Sequence, residues 1–399
     1  MPGCSAPGQT ESITLGEVIR KTLPDFSRTH RLPAHHWKVL RALAACHTPA
    51  LGGHQYQCAH CGREHFVPHS CGNRHCPSCQ RLKGAQWLAE QTRHLLPISY
   101  FHVVFTLPHE LNPLIQYNQA RLYTLLFASA TATLLEFGRN NLQATLGITA
   151  VLHTWSQNLL DHYHLHCVVT GGGLSLDGEQ WVSLGPRWLF SVRALSLVFR
   201  AKFRDGLQQL FDEGRLQFPQ LEPRLADPGF FARWRRRLCR HQWVVYTKRP
   251  FAGPQAVLAY LCRYTHRVAI TNRRLEALDR PTGTITFRYK DYARGSQIRS
   301  MTLEQQEFLR RFCLHILPPR FVKIRHFGIL ANRDRSTNLT QARARLAQCP
   351  EKPEEAHKTV LTIKPLGTPP LVCPHCGRPT LLLIRVIDRP KCPSTFDSS

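Results

Sequence analysis

Residues 161–173, Asp-His-Tyr-His-Leu-His-Cys-Val-Val-Thr-Gly-Gly-Gly, constrain the fold of this chain more than any other stretch. From Leu165 to Thr170 the run is apolar and β-branched, which reads as a buried strand, and the triple glycine after it predicts a turn. Alternate side chains of a strand share a face, so His162, His164 and His166 point one way. Neighbours on that face lie roughly 7 Å apart, close enough for two imidazoles to grip one metal ion. An isolated His-x-His is more often a plain sheet face, so the metal reading needs support from elsewhere in the chain.

That support lies at residues 254–267, Pro-Gln-Ala-Val-Leu-Ala-Tyr-Leu-Cys-Arg-Tyr-Thr-His-Arg. Pro254 suits a first helical turn, and Ala256 to Arg263 are compatible with a helix. Tyr260 and Tyr264 are then i and i+4, with Cβ atoms roughly 6 Å apart on one face. Tyrosine pairs at this spacing usually pack a core. Here they are interleaved with Arg263, His266 and Arg267, and that basic dressing suits a phosphate partner.

Charge narrows the partner further. Among 399 residues, 52 Lys and Arg face 26 Asp and Glu, a formal charge of +26. Such an excess self-repels in a folded domain and is most simply explained by a polyanion, nucleic acid first. No apolar run approaches a membrane span, and the first ten residues lack the build of a signal peptide, so a cytoplasmic, nucleoid-associated protein is expected. Fifteen cysteines in such a chain argue for metal ligation rather than disulfides.

The densest cysteine cluster is Cys58-Ala-His-Cys61 followed by Cys71, His75 and Cys76-Pro-Ser-Cys79. Two C-x-x-C pairs match a zinc ribbon or knuckle, since each supplies two thiolates of a tetrahedral site from one tight turn. Cys58, Cys61, Cys76 and Cys79 are therefore expected to hold one structural zinc, with Cys71 and His75 as surplus donors, either of which could replace one of the four. Arg63, His65, Arg74, Arg81 and Lys83 dress this head with positive charge. Near the other end Cys373-Pro-His-Cys376 is half a site. Completion by Cys349 and Cys392 has no support in the spacing, and its role stays open.

Taken together, these motifs resemble the rolling-circle transposases of the insertion sequence 91 type, in the two-tyrosine branch of the His-hydrophobe-His endonuclease superfamily. The resemblance spans Leu15 to Asn332. It rests on Cys58 to Cys79, Phe105-Thr-Leu-Pro-His-Glu110, Leu152-His-Thr-Trp-Ser-Gln157, His164-Leu-His166, Tyr260-Leu-Cys-Arg-Tyr264, Tyr289-Lys-Asp-Tyr292 and Phe308-Leu-Arg-Arg-Phe312. Tyr163 stands where many relatives have proline. The resemblance implies that Tyr260 or Tyr264 attacks single-stranded DNA, leaving a 5′-phosphotyrosine link and a free 3′-hydroxyl. It also implies a catalytic Mg²⁺ or Mn²⁺ on His164 and His166 with a third ligand. His153, Gln157, His102 and His266 compete for that place, and Gln157 is favoured. Relaxases and replication initiators use a similar site; the zinc head argues for a transposase. A DNA-binding protein with an inactive nuclease fold and a metal hydrolase without a covalent step are the readings from other classes.

The resulting expectation is an α+β fold: an antiparallel sheet backed by helices, with an N-terminal zinc-binding module. Residues 1–96 form the helices and zinc head, residues 97–332 the catalytic domain, and residues 333–399 a polar tail. Strands are expected at Tyr100–Leu107, Ile148–Thr154, Val268–Thr271, Thr284–Tyr289 and Gln297–Met301, and a helix at Leu303–Leu314 capped by Thr302. A helical, basic insertion occupies residues 186–250. Its Arg233, Trp234, Arg235, Arg236 and Arg237, together with Arg263 and Arg267, are the expected DNA contacts, with Trp234 interleaved for base stacking. DNA, single-stranded at element ends and target, is the expected partner, in a possible homo-oligomer.

Overall fold

A computed structural model describes residues 13–185, 190–220, 222–248, 257, 268–292, 294–348 and 372–389. Tyr260, Tyr264, Arg263, His266, Arg267, Cys349 and Cys392 lie outside the described residues. The described chain begins with helices α1 (Leu15–Thr29) and α2 (Ala34–Ala44), strands β1 (Gly53–Cys58) and β2 (Glu64–Pro68), and α3 (Pro77–Thr92). There follow β3 (Tyr100–Thr106), α4 (Asn112–Tyr117), α5 (Gln119–Leu142), β4 (Ala144–Trp155), β5 (Asp161–Ser175) and β6 (Trp181–Ser183). The insertion contributes α6 (Val192–Asp212) and α7 (Pro228–Leu238), and β7 (Val245–Lys248) returns to the sheet. The remainder is β8 (Leu275–Asp279), β9 (Thr284–Asp291), β10 (Gln297–Glu304), α8 (Gln305–Leu314), β11 (Ile324–Gly328), α9 (Arg335–Ala347) and β12 (Leu381–Ile387).

The histidine strand β5 sits inside an antiparallel sheet of order β11-β4-β5-β3-β7, with β6 also paired to β5. Its odd-numbered side chains Tyr163, Leu165, Cys167 and Val169 are fully buried. They share one core with Tyr123, Phe127 and Leu134 of α5 and with Phe199, Phe203 and Leu207 of α6. Each large apolar side chain buried there is worth roughly 1.5–3 kcal/mol, so this face fixes which way β5 is turned. The even-numbered histidines are thereby left on the opposite face. Side-chain caps set both insertion helices: Ser191 Oγ accepts from the Ala194 amide at 3.4 Å, and Asp227 Oδ1 from that of Phe230 at 2.6 Å.

A second core joins α1 and α2 to α8 and to the small antiparallel sheet β10-β9-β8, through Ile19, Phe26, Leu40, Phe287, Phe308 and Phe312. Cys76 and Cys79 are buried in the same core, so the head is packed against the body rather than tethered to it.

Several expectations are corrected. The triple glycine is not a turn: β5 runs through it to Ser175. A Cβ at Gly171 would lie 2.6 Å from the Ser99 carbonyl oxygen, and one at Gly173 2.4 Å from that of Thr145. Glycine is needed because neighbouring backbones crowd both sides of the strand, not because the chain reverses. Thr302 is not a helix cap; it lies in β10 with its hydroxyl 2.8 Å from that of Thr286, and α8 begins after Glu304. Val268 to Ile270 are buried but form no strand, and a 3-10 turn at Asn272–Arg274 leads into β8. The region after residue 333 is not merely a polar tail, since it contains α9, and β12 pairs antiparallel with β1 in the head.

Candidate metal centres

On β4 and β5 the register sets His153 opposite His164 and Val151 opposite His166. Ligand nitrogens of His153, His164 and His166 all lie within 4.8 Å of one another. The ring centroids are 5.4 Å apart for His153–His164, 4.5 Å for His153–His166 and 4.9 Å for His164–His166. His153 and His166 are buried and His164 is half-buried, so the cluster opens through His164. The expected pair thus stands together, and the third imidazole is His153. Gln157, favoured from sequence, sits past the end of β4 in the turn before β5, where its carbonyl accepts from Arg274.

Two hydrogen bonds orient these rings. His164 Nδ1 lies 2.8 Å from the His162 carbonyl oxygen. A carbonyl only accepts, so the proton is on Nδ1 and the Nε2 lone pair is the one His164 would offer an ion. His166 Nδ1 lies 2.9 Å from His102 Nε2, and the two rings are stacked at 10°. With Nδ1 engaged in this way, Nε2 is the nitrogen His166 would present. His102, on β3, is therefore an outer partner rather than the third ligand. Burial first, and Lys248 second, push His102 down to about 4, which keeps it a neutral acceptor. Trp155 stacks on His153 at 4.8 Å and 20°, holding that ring in place. His162 shares the face, its ring 4.8 Å from that of His164, and packs near His109. Three imidazoles held this way fit a divalent transition ion with coordination positions left over.

The head contains a different constellation from the one expected. Cys76 and Cys79 meet Cys71 and Cys46, with sulfur separations of 3.5 Å (Cys76–Cys46), 3.7 Å (Cys46–Cys79) and 3.6 Å (Cys71–Cys79). Four thiolates at ~2.3 Å from one zinc would be ~3.8 Å apart, so the donor set and spacing fit. Hydrogen bonds from Cys71 and Cys76 hold the Cys46 thiol down to about 4, while Cys71 is pushed up in return. Cys58 and Cys61 do not join this set; they stand beside Cys373 and Cys376. His75 is not a ligand either: its Nε2 accepts from the Leu317 amide at 3.4 Å, and burial pushes it down to about 3. Cys71 was legible from its C-x4-C-x2-C spacing. Cys46, at the end of α2, stands outside any cysteine motif, and only the fold brings it in.

On α7 the expected DNA residues divide by face. Arg233, Arg236 and Arg237 are exposed and Arg235 is half-buried. Trp234 is only 7% exposed and packs with Phe231 in the main core, so it cannot stack a base. Helical periodicity explains the correction: Phe231, Trp234 and Leu238 form the apolar stripe that docks the helix.

An antiparallel sheet carrying a histidine triad beside a cysteine-rich head makes this a protein with two kinds of candidate metal site, one of imidazoles and one of thiolates. Residues 147–337 match a family model described as "Putative transposase", and residues 18–107 match the "Transposase zinc-binding domain" model of insertion sequence 91. The chain is 42% identical to "Putative transposase y4qJ" of Sinorhizobium fredii over 94% of its own length and 93% of the relative's. It is 30% identical to the transposase for insertion sequence element IS801 of Pseudomonas savastanoi pv. phaseolicola, over 74% and 70% of the two chains. The chain belongs to the insertion sequence 91 family of transposases, with its zinc-binding domain toward the N-terminus. Among solved structures, a slight likeness (TM-score 0.25, 15% identity, 62% of this chain and 69% of the other) is to the conjugative relaxase TRWC in complex with oriT DNA. No helix among the described residues is long and apolar enough to cross a membrane.

Proposed function

We propose that this transposase nicks and rejoins single-stranded DNA in rolling-circle transposition, through a 5′-phosphotyrosine link made by Tyr260 or Tyr264. The observation that carries the reading is the convergence of His153, His164 and His166 on neighbouring strands, within the span of the transposase family match. His153, His164 and His166 would hold a divalent ion whose charge would polarise the scissile phosphate oxygens, and three imidazoles suit Mn²⁺ better than Mg²⁺. The chain's own part is to orient three imidazoles, to hold the strand by basic contacts, and to supply the nucleophile. A tyrosine hydroxyl ordinarily titrates near 10, so its proton must leave as the oxygen attacks phosphorus. The new bond joins that oxygen to phosphorus, and the bond to the 3′ oxygen breaks, leaving a 3′-hydroxyl. Rejoining reverses the exchange and needs no ATP.

Val257, three residues before Tyr260, is fully buried with Tyr100 and Val168. Val168 lies two residues beyond His166 on the histidine face, so Val257 packs on the side of the sheet that carries the triad. Arg263, Arg267 and the exposed arginines of α7 would bind backbone phosphates. Residues 97–332 would then be the catalytic unit, carrying the 186–250 insertion, and DNA its substrate. The test is incubation of the purified chain with single-stranded element-end DNA and Mn²⁺, followed by a denaturing gel for covalent adducts. His164→Ala and His166→Ala should form none while still binding DNA, because affinity comes from many cationic contacts. Metal-dependent cleavage without any adduct would overturn the covalent step.

A further inference from the structure

The thiols that the Cys46 cluster leaves aside form a group of their own. Cys58 Sγ lies 3.6 Å from Cys376 Sγ, and Cys61 Sγ lies 3.7 Å from Cys373 Sγ, all four within 4.8 Å of one another. These are the sulfur separations of a tetrahedral four-thiolate zinc site, ~3.8 Å, and far beyond a disulfide bond of ~2.0 Å.

The two C-x-x-C turns are built alike. Gly62 N–H donates to the Cys58 carbonyl at 2.8 Å, and Gly377 N–H to that of Cys373 at 2.8 Å. Cys58 N–H donates to the Arg63 carbonyl at 2.9 Å, and Cys373 N–H to that of Arg378 at 2.8 Å. Gly62 and Gly377 stand at φ 70° and 71°, the left-handed conformation that lets each turn close behind its second cysteine. Two copies of one turn, facing each other sulfur to sulfur, make a knuckle pair. Thr380 Oγ1 is hydrogen-bonded to Cys58 Sγ at 3.1 Å, and the Cys61 amide donates to the same sulfur at 3.4 Å. Zinc with four thiolates carries a net charge of −2, and Arg63 and Arg378 flank the turns, bonded across to His375 and His60 at 2.8 and 3.3 Å.

Packing shows why an ion is needed. Strand β12 pairs with β1 from Gly53↔Ile387 to Cys58↔Leu381, but Leu382, Leu383, Ile384 and Val386 remain 62%, 52%, 51% and 50% exposed. A three-stranded sheet with so little apolar burial is marginal by itself. A metal clasp supplies what the core does not.

We propose that Cys58, Cys61, Cys373 and Cys376 bind a second structural zinc, which clasps the C-terminal strand onto the N-terminal head, so that the chain carries two zinc ions. Four soft thiolates select zinc over the hard Mg²⁺ or Mn²⁺ of the histidine site. The inference does not depend on the covalent mechanism and is read without DNA.

The full-length chain carrying His164→Ala/His166→Ala, so that the histidine triad takes up no zinc, should hold two equivalents when purified with zinc and assayed by metal analysis, and the cysteine variants are made in this background. Cys58→Ser/Cys61→Ser and Cys373→Ser/Cys376→Ser should each hold one, and so should the variant combining all four changes, because the pairs share one site. Cys76→Ser/Cys79→Ser should lose the other ion. Cobalt substitution gives a second readout: thiolate-to-cobalt absorption should halve in each pair variant, and Cys376→His should retain the ion that Cys376→Ser loses. With a protease site inserted near residue 360 and cleaved, the C-terminal fragment should stay with the head until a chelator or the Cys373/Cys376 change releases it. One equivalent in the triad-free chain with all cysteines intact, loss of both ions in the four-fold variant, or a fragment whose retention ignores zinc would each overturn the clasp.

Discussion

Replacing His102 tests whether the histidine triad is oriented from behind. His102 is 3% exposed, and its Nε2 is 2.9 Å from His166 Nδ1. When His166 gives Nε2 to an ion its proton must be on Nδ1, and His102 is the acceptor for it. His102→Phe keeps the volume and removes that acceptor, so metal binding would force a buried N–H to go unsatisfied. That costs about 1–3 kcal/mol, a loss of roughly 5- to 150-fold in ion affinity, and it overlaps the roughly 10- to 100-fold ascribed to outer partners of metal ligands. His102→Gln restores an acceptor oxygen and should recover most of the affinity. Mn²⁺ titration by calorimetry or by the electron paramagnetic resonance of the free ion reads the effect without DNA. Circular dichroism verifies that the sheet survives. Binding by His102→Phe within twofold of the unaltered chain, or equal weakness of the Gln and Phe variants, would refute the reasoning.

Cys46→Ser should remove one zinc equivalent as fully as Cys79→Ser does; a variant with unchanged zinc content would dissolve the Cys46 cluster. Tyr260→Phe and Tyr264→Phe should each still give a covalent DNA band, because the partner hydroxyl remains, and the double variant should give none; a surviving band in the double variant would defeat the tyrosine mechanism. His36 is 8% exposed, and burial, with His35 adding to it, pushes it down to about 4. As pH falls from ~6.5 to ~4 the unfolded chain takes up a proton that the folded chain refuses, so this residue alone removes about 3 kcal/mol of stability. His36→Leu should flatten the fall of Tm across that window, and an unchanged slope would count against the assignment. Arg236→Ala/Arg237→Ala on the exposed face of α7 should lower the slope of log affinity against log salt for single-stranded DNA by roughly 1.4, and an unchanged slope would remove α7 from the interface.

The chain's own order of residues determined the strand that carries the histidines, the face they share, the helical and basic character of the insertion, and the charge that suits a polyanionic partner. These are local properties: period two, period 3.6 and charge. What pairs with what was decided in three dimensions. His153 reaches the triad only because β4 and β5 are in a register that sets it opposite His164, whereas Gln157, a few residues on, falls past the strand end. Trp234 reads as an aromatic among arginines along the chain, yet the helix turns it into the core. The glycines at 171 and 173 look like a turn until the neighbouring strands are placed against them. The cysteines carry the lesson furthest. Spacing finds each C-x-x-C turn, because a turn is local, but a tetrahedral site is closed by whichever second pair the fold delivers. Cys58 and Cys61 look nearest in sequence to Cys76 and Cys79, while strand pairing carries Cys373 and Cys376 to them from more than 300 residues away.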